Sequence, residues 1–64
     1  MPVAKEELGR RLKAARESAR MTQQQVATEL KLNRTAVTQL ESGDRAVSST
    51  ELSQLAYLYA RDMA

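Results

Sequence analysis

A chain of 64 residues has room for one domain, and at that size short helices held by local contacts are the architecture most readily stabilised. The apolar material is aliphatic, with Tyr57 and Tyr59 the sole aromatics, and the absence of Cys and His removes disulfides, the usual metal ligands and the usual general base. The net charge of +2 is small but uneven, because six of the ten basic side chains and three of the eight acidic ones precede Met21.

No apolar run reaches the length of a signal-peptide core or a membrane span, so a cytoplasmic protein is expected. Residues 1–4, with Pro2, read as a frayed start. The first helix is predicted over about Lys5 to Arg20, because Leu8, Leu12, Ala15 and Ala19 recur at helical spacing. Its remaining faces are charged, and Arg10, Arg11, Lys13 and Arg20 read as solvated side chains before they read as a steering patch.

Three further helix starts use the same chemistry. Thr22 can cap a helix over about Gln23 to Leu30, with Gln25 completing a capping box and Met21 and Val26 at the staple positions. Asn33 can cap a third helix over about Arg34 to Ser42, with Leu32 and Val37 as its staple pair, and Gly43 marks its stop. Ser48 with Glu51, flanked by Val47 and Leu52, opens a fourth helix reaching at least Arg61. The fold predicted is all-α: a bundle of four to five short helices, one domain over residues 1–64.

Lys31, Leu32 and Asn33 alone join the second and third helices, which forces a sharp crossing of the helix-turn-helix kind. Around the third helix, successive residues lie about 100° apart. That places Val37 and Leu40 at the centre of a buried face, Ala36 and Glu41 at its edges, and Thr35, Thr38, Gln39 and Ser42 outward, with Arg34 at the helix start. An outward face of Arg, Thr, Thr, Gln and Ser lacks the Glu and Lys of an ordinary solvated helix and suits base-edge hydrogen bonding.

On the fourth helix Leu52, Leu55, Ala56, Tyr59 and Met63 share one stripe and are expected in the core. Tyr57 and Leu58 fall outside it, as scattered surface apolars or as a contact with a second subunit or with a missing C-terminal segment. The helical pattern still runs at Ala64 without a cap, as it would in the N-terminal part of a longer regulator with a C-terminal domain.

The run from Met21-Thr22-Gln23 through Leu40-Glu41-Ser42-Gly43 resembles the phage repressor and Cro-type helix-turn-helix family. Leu12, Arg16, Val26-Ala27, Leu30 and Val37 also match its pattern, and the likeness covers roughly residues 8–58. It implies a lambda-repressor-like DNA-binding fold and a transcriptional regulator, often a repressor, at the nucleoid. It further implies base contacts from Arg34, Thr35 and Gln39 and a backbone phosphate contact from Gln23; the outward face adds Thr38 to the expected base contacts, and Asn33, Ser42, Arg45 and Arg16 are further expected backbone contacts. The family commonly joins positions matching Arg16 and Glu41 as an ion pair bracing the third helix, and the periodicity also puts both beside the core. Three positions depart from the family pattern: Lys31 where glycine is frequent, Asp44 where a basic residue is frequent, and Val47 in a stretch that often holds proline.

The partner expected is double-stranded DNA with a pseudo-palindromic operator, met by a homodimer, with no cofactor and no metal. The rival from another class is an antitoxin-like protein-interaction module working through the Tyr57 and Leu58 face. A small enzyme is disfavoured by the lack of a nucleophile and base pair.

Overall fold

The computed structural model describes residues 4–63, with side chains described through residue 60. Met63, expected on the core stripe, and Ala64, where the pattern ends uncapped, therefore lie outside the described side chains, as does Pro2. Four helices follow in order: α1 (Lys5–Ser18), α2 (Gln23–Leu30), α3 (Arg34–Ser42) and α4 (Ser49–Met63). No strand occurs among the described residues.

The helix starts follow from side-chain chemistry. Thr22 accepts from the Gln25 N–H at 3.0 Å, while the Gln25 side chain accepts from the Thr22 N–H at 2.8 Å, a reciprocal box that satisfies two backbone donors. Asn33 Oδ1 accepts from the Ala36 N–H at 2.8 Å. Ser48 and Glu51 repeat the box, at 3.1 Å in both directions.

The ends of the first three helices share a different device. Past α1 the Met21 N–H donates to the Arg16 carbonyl at 3.1 Å and the Arg20 N–H to that of Glu17 at 3.0 Å. Past α2 Leu32 and Lys31 do the same to Ala27 and Thr28, at 2.8 and 3.3 Å. Past α3 Asp44 and Gly43 both reach the Gln39 carbonyl, at 3.0 and 3.1 Å. Each closure places one residue in the left-handed region: Arg20 at φ 60°, Lys31 at φ 58° and Gly43 at φ 87°. Lys31, standing where glycine is frequent in the family, thus takes up the glycine conformation itself. Arg20 explains why α1 stops at Ser18 and not at Arg20 as its periodicity predicts. The side-chain pattern continues, but the backbone has already turned.

The core gathers Leu12 of α1, Val26 and Ala27 of α2, Val37 and Leu40 of α3, and Leu55, Leu58 and Tyr59 of α4. α3 rests on both α1 and α2, and α4 contacts α1 and α2. The approach of α1 to α3 is permitted by Gly9, which is buried; a Cβ there would stand 2.5 Å from the Glu41 carbonyl oxygen and 2.7 Å from that of Leu40.

The predicted stripe of α4 needs correction. Leu58, read as surplus, is 4% exposed and belongs to the core, whereas Leu52 is 39% exposed and Ala56 is exposed as well. The observed stripe is Glu51, Leu55, Leu58 and Tyr59, which has the spacing of one helix face. A carboxylate stands at its head because Glu51 is half-buried, closing the Ser48 box while its Oε2 accepts from Arg45 at 2.6 Å. Reading apolarity alone rotates the face toward Leu52. The rival surface accordingly loses Leu58, leaving Tyr57 at 70% exposure.

Candidate nucleic-acid interface

The crossing of α2 and α3 over Lys31, Leu32 and Asn33 holds α3 with one side against the core and the other open. Arg34, Thr35, Thr38, Gln39 and Ser42 are all exposed on that open side, and Asn33 is exposed at its head. None carries a negative charge. At the far end, the Ser42 hydroxyl lies 3.0 Å from Asp44 Oδ2 and 3.2 Å from the Gln39 carbonyl, so one carboxylate does stand beside the last turn.

Beneath this surface Glu41 ties three helices together. Arg16 of α1 donates from Nε to Glu41 Oε2 at 2.6 Å and from Nη2 to Oε1 at 3.3 Å, and Gln23 of α2 donates from Nε2 to the same Oε1 at 3.0 Å. The third Arg16 nitrogen, Nη1, caps the Met21 carbonyl at 2.8 Å. The side chains of the pair are 11% and 6% exposed, so the Coulombic attraction is little screened and each charge depends on the other. The hydrogen bond to Glu41 is the chief cause of a raised Arg16 pKa, with burial opposing it. Tyr59 is affected too: burial first, and the negative charge of Glu41 second, push its phenol up to about 12, against the opposing effect of Arg16.

The side chain of Gln23, expected from the resemblance to hold a backbone phosphate, is also engaged inside the protein. Its Nε2 is held by Glu41 and its Oε1 accepts from the Thr38 hydroxyl at 3.3 Å, which leaves the side chain half-buried under α3. The backbone N–H groups of Gln23 and Gln24 remain at the helix start, where no intrahelical carbonyl is available to them. Arg16, Met21, Thr22, Gln23, Gln24 and Arg34 line one open depression, so this start, the head of α3 and Arg16 converge. Arg45 stands apart, half-buried and paired with Glu51.

Lys13, assigned by sequence to the solvated face, lines a second depression with Gln23, Thr38, Glu41 and Ser42. Its spacing of three from Arg16 was the available signal, since it sets both on the side of α1 facing α3. Arg10 and Arg11, by contrast, are exposed and pair with Glu7 on their own helix at 3.0 and 3.5 Å. No group of acidic residues among the described ones is arranged to hold a metal ion, and no helix among them is long and apolar enough to cross a membrane.

A protein-family model described as a helix-turn-helix domain matches residues 7–64. Comparison with curated proteins and with solved structures gives no match.

Proposed function

Because the chain belongs to the helix-turn-helix domain family, whose members bind DNA, we propose that it is a sequence-specific transcriptional regulator of the repressor and Cro type that lays α3 in the major groove. The observation that carries this reading is the open side of α3, five exposed hydrogen-bonding or cationic side chains without a carboxylate, adjoining the depression where Arg34, Arg16 and the start of α2 meet. Arg34 suits the two acceptors of guanine, Gln39 the donor and acceptor of adenine, and Thr35 and Thr38 single contacts. A phosphate fits the start of α2, against the Gln23 and Gln24 N–H groups and the helix dipole, with Arg16 behind it. Lys13 and Ser42 line the neighbouring depression and supply further backbone contacts, with Asn33 at the head of α3 and Arg45, which stands apart, contributing any donors not held by Glu51. Two copies would cover a pseudo-palindromic operator with half-site centres about one helical turn apart, in the cytoplasm at the nucleoid.

The test is selection of bound duplexes from random DNA with the 64-residue chain, followed by titration against salt. A common half-site should emerge, and its affinity should fall steeply with added salt. Arg34→Ala should cost about 1 to 3 kcal/mol at one base position, while Lys13→Ala should weaken every sequence and lower the salt slope by about 1. Failure to enrich any half-site overturns the proposal.

A further inference from the structure

The hydroxyl of Thr38 stands on the open side of α3 with two acceptors within reach inside the protein: Gln23 Oε1 at 3.3 Å and the Arg34 carbonyl at 3.2 Å. A hydroxyl has one hydrogen and two lone pairs, so either bond spends its donor and leaves an acceptor facing outward. Rotation between the two acceptors changes nothing in that respect.

The orientation of Gln23 is itself imposed. Its amide lies 3.0 Å from Glu41 Oε1, and an ionised carboxylate only accepts, so the NH2 group must be on that side and the carbonyl oxygen must turn to Thr38. Glu41 is in turn fixed by two bonds from Arg16, at 2.6 and 3.3 Å. Donation therefore converges on Glu41: Arg16 donates to it from α1, and on the other side Thr38 donates to Gln23, which donates to Glu41.

Resting on the reading that α3 lies in the major groove, we infer that Thr38 meets DNA as a hydrogen-bond acceptor alone and selects an exocyclic amino group, cytosine N4 or adenine N6. The keto oxygens of guanine and thymine offer only acceptors in that groove. Donation to them would break an internal bond to form an external one, whereas acceptance from an amino group adds a bond and breaks none. Arg16, Glu41 and Gln23 are positioning residues for this preference, acting through Thr38.

The experiment compares half-sites selected by the wild-type chain, Thr38→Val and Thr38→Ser, each checked for helicity. Valine keeps the branched shape and the methyl but removes the oxygen; serine keeps the oxygen. One base position should lose its preference in Thr38→Val and keep it in Thr38→Ser, and the base there should be cytosine or adenine. A duplex in which only that base is replaced by 2-pyrimidinone or purine, which lack the amino group, should bind the wild type about 3- to 10-fold more weakly, the worth of one neutral hydrogen bond, and bind Thr38→Val unchanged. A flattened position occupied by thymine or guanine, or preferences unchanged in Thr38→Val, would overturn the inference while leaving groove reading intact. Enrichment of no half-site removes both.

Discussion

Gly9→Ala isolates the contact that sets α3 against α1. In an unobstructed helix interior the change should stabilise by roughly 0.5 to 1 kcal/mol, because alanine loses less backbone freedom on folding. At Gly9 the new methyl would stand 2.5 Å from the Glu41 oxygen, 2.7 Å from the Leu40 oxygen and 2.8 Å from the Glu41 carbonyl carbon, whereas ordinary contact begins at 3.4 Å. All three atoms are backbone, so relief requires moving the last turn of α3 by about 0.9 Å, the shortfall at the closest of them. Overpacking of that kind costs about 1 to 3 kcal/mol, and three backbone atoms under 3.0 Å place it in the upper half of that range, about 2 to 3, so that against a propensity gain of up to about 1 the net loss is about 1 to 2 kcal/mol. For a domain this small the melting temperature should fall by roughly 5 to 15 °C. Thermal and urea unfolding followed by helical circular dichroism measure it, with Ala14→Gly on the exposed side of α1 as the propensity control. A Gly9→Ala protein as stable as wild type or more so would refute the close approach of α1 and α3.

Removing Arg16 or Glu41 singly, as Arg16→Met or Glu41→Leu, should cost about 3 kcal/mol by stranding the other charge; in urea titrations the double variant should lose less than the sum by about 1 to 3 kcal/mol, and additivity would refute the coupling. Lys31→Gly should raise stability by about 0.5 to 1 kcal/mol in the same titrations, since a side chain at φ 58° pays a left-handed penalty that glycine does not. In a Tyr57→Phe protein the single remaining phenol, Tyr59, should ionise near pH 12 by ultraviolet absorbance. Its folded-state pKa lies above the ordinary 10.0, so the stability it contributes is complete below pH 10 and lost as pH rises toward 12; ionisation of the folded protein near 10 would contradict the burial.

What the sequence made legible was local chemistry. Thr22 with Gln25, Asn33, and Ser48 with Glu51 announce helix starts because a cap and its backbone partner lie within three residues of each other. The features that escaped depend on distant segments or on backbone torsions that side-chain patterns do not report. Arg20 ends α1 early through a left-handed turn that no glycine advertises. Gly9 matters only where α3 arrives, and Gln23 is drawn under α3 by Glu41, eighteen residues away. The face of α4 departs from the apolar pattern for a related reason: Glu51 heads the core-facing stripe that an apolar count assigns to Leu52, and its bonds to Ser48 and Arg45 make that placement tolerable. The outward side of α3 was visible in residue type, but the donor direction of Thr38 was not.

The position of Glu41 beneath the open side of α3 also bears on how genetic data from this protein would read. A loss-of-function screen scores any substitution that displaces α3, and the residues holding it lie on other helices: Gly9 and Arg16 on α1 and Gln23 on α2. On the proposed reading such a screen returns these alongside Arg34 and Gln39. Measuring unfolding in parallel with binding divides the set, because on the proposed reading Arg34 and Gln39 change affinity at constant stability whereas the bracing residues change both.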